Sequence, residues 1–184
     1  MFRPTEFTSA LASHRMQYLG EWNKTRRRNH AALTDMLGGV EDIAIQQTPD
    51  EVQPAYWRYA FTLTGNLGRQ PGAREHLLAW LRTAGIRSSR WQDRVLPEHR
   101  VFTDGFGHGC PWRCHRRPAP ARADVPVARR LARSMIWLED AIAPTNGEAQ
   151  LTQVAETIHT ALREVCDTTS HARPIGSSSP GRLP

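Results

Sequence analysis

The stretch YWRYAFTL, residues 56–63, predicts the central strand of this protein. Its aromatic content is typical of strands, and successive side chains of a strand point to opposite faces. One face would carry the larger apolar side chains, namely Trp57, Tyr59, Phe61 and Leu63. The other face would carry Tyr56, Arg58, Ala60 and Thr62. The alternation therefore predicts a strand with two chemically distinct faces.

Helical patterns lie on both sides of this strand. Residues 5–37 predict one long helix that Thr5 caps and Gly38-Gly39 ends, as glycine does at helix C-termini. On a helical wheel its apolar side chains fall within about 80° of one another. They are Phe7, Leu11, Tyr18, Trp22, Leu33 and Met36. Further helices are predicted at 72–84, with Ala73, Leu77, Trp80, Leu81 and Ala84 inward, and at 125–134 and 148–165.

Short apolar segments predict the remaining strands: VEDIAIQ (40–46), residues 86–89 and MIWLE (135–139). The segments GNLGRQPG (65–72) and 90–124 are predicted to be loops. Helices alternate with a small number of strands along the chain. This order predicts an α/β (α+β layered) fold, in which helices pack on a small sheet. We expect a long connecting helix over 1–37, a small domain over 38–166 and a disordered tail over 167–184.

Composition limits the classes of function. The 184 residues suffice for one domain, and 24 basic against 18 acidic residues give a net charge of +6. Such a balance permits nucleic-acid binding without showing it. The chain has no apolar run of membrane length, and MFRPTEFTSA lacks the apolar region of a signal peptide. Three cysteines fit a reducing, cytoplasmic setting better than a disulfide scaffold.

The basic run NKTRRRNHAA (23–32) offers a possible nucleic-acid contact and holds the only lysine of the chain, Lys24. Arg26, Arg27 and Arg28 spread over about 200° of the helical wheel, so they form no single stripe. Lys24 lies roughly 140° from the centre of the apolar face. We therefore expect a solvated helix flank, and a small basic nucleic-acid-binding protein is kept as the alternative function.

The loop GFGHGCPWRCHRR (105–117) is rich in potential ligands. Four of its side chains could bind a metal, namely His108, Cys110, Cys114 and His115. However, the C-x3-C spacing is at the edge of the range found between paired cysteines of zinc sites, and the sequence offers no second pair of ligands elsewhere. No metal site is therefore predicted. An arginine-rich loop with buried thiols and a substrate-facing loop both remain open. The sequence has no P-loop, no G-x-S-x-G and no dinucleotide fingerprint.

Several stretches together resemble the DegT/DnrJ/StrS-type sugar aminotransferases. FRPTEFTSALASHRMQYLGEWNKTRRRNHAALTDML (2–37) is similar to the motif and long helix of that family, and YWRYAFTL to its small-domain strand. REHLLAWLRTAGI (74–86) and the stretch 123–162 are similar to later segments. The GCPWRCH loop resembles that of cyclitol aminotransferases. The matching residues of the first helix are Phe2, Arg3, Pro4, Thr5, Glu6, Phe7, Ala10, Leu19, Arg27, Arg28, Asn29, Ala31 and Leu33.

The resemblance implies the small C-terminal domain of a dimeric type I pyridoxal-phosphate transferase. It implies amino transfer from an amino acid to a keto-sugar or ketocyclitol, in secondary-metabolite or aminoglycoside biosynthesis. The Schiff-base lysine of the family belongs to a large domain that precedes the matched part, and Lys24 matches an ordinary helix position. We therefore expect a truncated portion, inactive alone, that binds no cofactor covalently.

The resemblance also implies site residues and partners. Arg3 would reach the cofactor phosphate, because a guanidinium suits phosphate. Arg58, His108, Cys110 and Trp112 would face the substrate. The expected partners are a full-length aminotransferase or a separate lysine-bearing domain, together with self-association through exposed apolar surface.

Overall fold

A four-stranded antiparallel sheet forms the centre of the protein in the computed structural model, which describes residues 3–99 and 125–170, with side chains up to Asp167. Its spatial order is β1-β2-β4-β3. The strands are β1 (Ile43–Ile45), β2 (Tyr59–Leu63), β3 (Ser88–Arg90) and β4 (Met135–Leu138). Each predicted strand is therefore present, although each is shorter than its sequence pattern. The predicted class, helices layered on a small sheet, is confirmed.

The central strand has the two faces that the sequence predicts, with one exception. Tyr59, Phe61 and Leu63 are buried, and they pair with residues of β1 and β4 that share their face. Trp57 was predicted to lie with them and instead is 69% exposed. The strand begins only at Tyr59, so the alternation of a strand does not extend back to Trp57.

The predicted long helix over 5–37 is wrong, because the structure contains two helices there. α1 spans Glu6–Met16 and α2 spans Leu19–Met36. At the break the amides of Gln17 and Tyr18 donate to carbonyls three residues back, at 3.3 and 3.1 Å, which is the tighter pattern of a 3₁₀ turn. Thr5 caps α1 as predicted, because its Oγ1 accepts a 3.2 Å hydrogen bond from the Thr8 amide.

The other helices follow the sequence pattern more closely. They are α3 (Gly65–Arg69), α4 (Ala73–Thr83), α5 (Pro126–Ser134) and α6 (Glu148–Ser170). α3 replaces part of a predicted loop. A side chain at Gly68 would lie 2.5 Å from the Leu63 carbonyl oxygen, so glycine allows this short helix to fold back onto the end of β2.

α6 is longer than predicted. The tail was expected to begin at residue 167, whereas the helix continues to Ser170. Residues 171–184 of that expected tail lie outside the described residues. No helix among those described combines the length and the apolar character that a membrane span requires.

The hydrophobic core lies between one face of the sheet and three helices, α2, α4 and α6, with α4 and α2 both packed against α6. α4 buries Leu77 and Leu81 as predicted, and also Leu78, whereas Ala84 is exposed. The fully buried side chains include Leu33, Leu37, Tyr59, Phe61, Leu77, Leu81, Ile136, Leu138, Ile142 and Ile158. The opposite face of the sheet is lined by partly buried and exposed residues.

Candidate functional site

The outer face of the sheet carries a tryptophan–arginine cluster, which consists of Trp57, Arg58, Trp91 and Trp137. The Arg58 guanidinium carbon lies 4.4 Å from the ring centroid of Trp57 and 4.7 Å from that of Trp137. Trp91 contacts Trp137 with their ring centroids 4.1 Å apart. The cluster therefore places one cation against two indoles, and a third indole packs against one of them.

Three strands position this cluster. Trp137 is on β4, directly opposite Ala60 of β2 and Ser89 of β3. Both neighbours are small, which leaves space on the sheet surface for the indole. Arg58 directly precedes β2, and Trp91 directly follows β3. Residues that are far apart in the chain thus meet because the antiparallel register aligns the two strand ends with Trp137.

The geometry suits a ring-shaped polar ligand. Trp57 and Trp91 are 69% and 43% exposed, so indole surface remains open to a ligand. Arg58 is partly buried, and its contacts with two rings restrict its flat guanidinium while its N–H groups remain donors. Indoles offer a flat apolar surface, and the guanidinium offers donors to hydroxyl, carbonyl or anionic oxygens. The cluster can therefore bind one face of a ring and one of its oxygens.

A polar cleft of about 420 Å³ continues from Trp91. Arg90 donates a 2.7 Å hydrogen bond to Asp93, and this bond with the charge of Arg90 lowers the pKa of that carboxyl. Arg90 also lies 3.7 Å from Glu75. Both acids are therefore paired with Arg90, whereas Arg58 forms no ion pair with any residue that the structure describes.

Asn29 of α2, one of the residues that match the family pattern, is not part of the tryptophan–arginine cluster. It is buried and forms hydrogen bonds within the protein. Its Nδ2 donates to the carbonyls of Ala143 and Asn146, at 3.0 and 3.1 Å. Asn146 in turn donates to the carbonyls of Asp140 and Ala141. These two amides tie α2 to the loop between β4 and α6. Asn29 thus joins α2 to that loop, and both N–H groups of its amide are used inside the protein.

His30, beside Asn29, is also enclosed. Its ring stacks on Tyr56 with centroids 3.7 Å apart and contacts Tyr59 at 4.9 Å. Burial lowers the pKa of His30. The Tyr59 hydroxyl shares a 3.2 Å hydrogen bond with Thr34, and burial raises its pKa to about 12. These rings therefore pack at the edge of the hydrophobic core, next to the first residue of β2.

The structure describes two of the predicted site residues, Arg3 and Arg58, and of these two Arg58 lies in the cluster. Arg3 is exposed ahead of α1. His108, Cys110 and Trp112, with the alternative metal ligands Cys114 and His115, lie outside the described residues. Sequence reasoning missed Trp91 and Trp137 as partners of Arg58. The sequence predicted that Trp137 lies on a strand, within MIWLE (135–139). Only the register of that strand shows which residues Trp137 faces.

The described residues do not fit covalent binding of pyridoxal phosphate, which needs a desolvated lysine inside a cavity. Lys24 is the only lysine in the sequence, and it is exposed on α2. Among the residues that the structure describes, no group of three or more His, Cys, Asp or Glu side chains could hold a metal ion.

Comparison with known proteins finds the fold of this chain in larger solved structures. Solved structures with the same fold include DesV of S. venezuelae (20% identity, TM-score 0.67), a DegT DnrJ EryC1 StrS aminotransferase from Brucella abortus (18%, 0.62) and 3-amino-5-hydroxybenzoic acid synthase (19%, 0.68). In the same order, the alignments cover 86%, 83% and 89% of this chain. They cover only 37%, 34% and 40% of the three solved chains, so this chain spans less than half the length of each.

No curated protein sequence matches the chain. The family comparison is decisive, because residues 1–159 match the DegT/DnrJ/EryC1/StrS aminotransferase family, which is most of the 184 residues. The fold and this match agree with the resemblance seen in the sequence. The chain belongs to the DegT/DnrJ/EryC1/StrS aminotransferase family.

Proposed function

We propose that this chain acts as the C-terminal part of an enzyme that transfers an amino group to a keto-sugar or ketocyclitol. Family membership supports the reaction class, and the chain spans about two fifths or less of the solved relatives. The Schiff-base lysine would come from a lysine-bearing domain, in the same polypeptide or in another. Secondary-metabolite biosynthesis is the setting that the resemblance favours.

One observation carries this proposal, namely that α1 has no buried residue. Its Phe7 is 80% exposed, and Leu11, one helical turn later, is 44% exposed. An isolated helix of 11 residues is only marginally stable in water. A helix with this apolar side therefore needs a partner surface, and the lysine-bearing domain of the family is the partner that we propose for it.

The tryptophan–arginine cluster would then contact the substrate. Its indoles would cover the flat apolar face of a sugar or cyclitol ring and exclude water, while Arg58 would hold a ring oxygen. Arg3, carried on the exposed segment before α1, would reach the cofactor phosphate. The segment with His108, Cys110 and Trp112 would complete the substrate side. Each of these assignments rests on the family resemblance together with the position of Arg58.

The test is reconstitution from two parts. The 184-residue chain with pyridoxal phosphate alone should show neither amino transfer nor the absorbance of a lysine-bound cofactor. Mixing it with the separately expressed lysine-bearing part of a family member should produce complex formation, and activity where the two surfaces match. Phe7→Asp with Leu11→Asp should abolish the complex, because two charges would then be buried in an apolar contact.

Val127→Asp provides the matched control, since Val127 is 58% exposed on α5. It should leave the complex intact. Arg58→Ala should raise the KM for the keto substrate more than it lowers kcat, because Arg58 is proposed to hold the substrate. Amino transfer by the chain alone, or equal complex formation by the double variant, would refute the proposal.

A further inference from the structure

An arginine-lined cleft lies at the other end of β2 from the tryptophan–arginine cluster. Its volume is about 720 Å³, within the usual range of small-molecule sites. Arg58 directly precedes β2 and Leu63 ends it, so the two residues lie roughly 16 Å apart at the rise of a β-strand. The cleft is formed by the end of β2, by α3, by the start of α4 and by α5. Its walls include Leu63, Leu67, Arg69, Pro71, Arg130 and Arg133.

Among the residues that the structure describes, the arginines of this cleft outnumber the acids that pair with them. Arg74 pairs with Glu75 at 3.0 Å, and Arg129 pairs with Glu98 at 3.0 Å. Arg69, Arg130 and Arg133 form no ion pair with any residue that the structure describes. All three are exposed. Three guanidinium groups are thus available at one concave surface.

α5 concentrates these charges on itself. Arg130 and Arg133 are three residues apart, and Arg129 and Arg133 are four apart, so each pair shares a side of the helix. Like charges at these spacings destabilise a helix, and an anion bound between them would offset their repulsion. Arg74 fixes the position of α5, because its Nη1 donates a hydrogen bond to the Ala132 carbonyl. This bond keeps α5, and with it the backbone of Arg130 and Arg133, beside the cleft.

We propose that this cleft binds a phosphorylated small molecule, with its phosphate or diphosphate group on Arg69, Arg130 and Arg133. Guanidinium groups bind phosphate oxygens through two parallel hydrogen bonds, and several together match a multiply charged anion. The apolar side chains of Leu63, Leu67 and Pro71 would contact the organic part. This site is separate from the tryptophan–arginine cluster and does not depend on the proposed amino transfer.

The test is calorimetric titration of the 184-residue chain with inorganic pyrophosphate, adenosine diphosphate and citrate. Pyrophosphate and the nucleotide should bind and raise the unfolding temperature, and citrate should bind much more weakly. Arg130→Ser with Arg133→Ser should weaken pyrophosphate binding roughly tenfold or more, the loss expected for two charge-assisted contacts. Tighter binding of the nucleotide than of pyrophosphate would identify an organic phosphate as the preferred ligand, and the reverse would overturn that part of the proposal.

Arg28→Ser with Arg163→Ser is the matched control, because it removes the same charge from exposed positions on α2 and α6. An equal loss in this control would show a general charge effect and overturn the proposal. So would equal binding of citrate, or binding of single-stranded DNA without binding of pyrophosphate. If the α5 double variant does not fold, Arg69→Ser on α3 should produce a weaker loss of the same kind, and unchanged binding there would refute the site.

Discussion

At the scale of single residues, Asn29 shows how a family motif can serve the fold. The amide is 1% exposed and uses both of its N–H groups on carbonyls from the loop that precedes α6. Those carbonyls lie 114 and 117 residues away in sequence. Because a buried carbonyl without a donor is costly, this one side chain determines how α2 meets that loop.

We predict that Asn29→Ala lowers the free energy of unfolding by roughly 2 to 4 kcal/mol, because it removes two buried hydrogen bonds and leaves a small cavity. Urea denaturation monitored by circular dichroism measures this change. Asn66→Ala, at an exposed position of α3, is the control and should change stability by less than about 0.5 kcal/mol. A similar effect of both variants would contradict the role given to Asn29.

His30 makes the stability of the protein dependent on pH. Burial lowers the pKa of its imidazole below the ordinary value of 6.5, so near that pH the unfolded chain binds more protons than the folded one. Stability is therefore present above pH 6.5 and decreases as the pH falls from there toward the lowered pKa. The loss from this one group is at most about 1.4 kcal/mol per pH unit.

We predict that His30→Phe weakens this pH dependence, because phenylalanine keeps a ring against Tyr56 and cannot titrate. The free energy of unfolding should be measured by urea denaturation at several values between about pH 7.5 and pH 5. His76→Asn, at an exposed histidine of α4, should keep the slope of the unchanged protein. Equal slopes for His30→Phe and the unchanged protein would show that His30 does not cause the effect.

At the scale of elements, α1 and α2 differ in how they are stabilised, although one apolar periodicity runs through the sequence of both. The rings of His14, Tyr18 and Trp22 contact one another at successive four-residue intervals across the break, at 5.4 and 5.7 Å. α2 then buries Asn29, His30 and Leu33, whereas α1 buries nothing. The stability of α2 therefore comes from packing, and that of α1 depends on its own hydrogen bonds and the Thr5 cap.

We predict that Ala12→Pro, in the middle of α1, changes the free energy of global unfolding by less than about 0.5 kcal/mol. Ala79→Pro is the matched substitution at an exposed position of α4, a helix that packs in the core, and it should cost roughly 3 kcal/mol or more. Denaturant unfolding of both variants tests this difference. A large cost at Ala12 would mean that α1 is packed in the isolated chain.

At the scale of the whole molecule, exposed apolar side chains are concentrated at two places. Phe7, Leu11 and Met16 lie on α1, and Trp57 and Trp91 lie in the tryptophan–arginine cluster. Exposed apolar side chains grouped in this way are typical of interaction sites and promote association. Among the described residues, one face of the sheet and three helices bury a continuous set of side chains.

We predict that the isolated chain associates with itself at concentrations used for biophysics and binds an apolar fluorescent dye. Phe7→Ser with Leu11→Ser should reduce both effects without lowering stability, because neither side chain is buried. Val52→Ser with Val127→Ser, at similarly exposed positions, should change them little. Sedimentation velocity measures the association, and a monomeric unchanged chain without dye binding would contradict the prediction.

The sequence by itself determined the kinds of elements and their order, because periodicity records which side of each segment meets apolar surroundings. YWRYAFTL predicted β2, and spaced leucines predicted α4 and α6. It also revealed the family through Asn29 and its neighbours. Local patterns could not show the break at Gln17, because an uninterrupted apolar stripe continues across it.

Only the tertiary structure decided what these residues contact. Trp137 meets Arg58 because β2 and β4 pair in one particular register, and Asn29 meets Ala143 because α2 packs beside the loop before α6. The arginines of α3 and α5 line one cleft because both helices pack at the end of β2. Such contacts join residues distant in the chain, and their geometry depends on the packing of the entire core rather than on any local pattern.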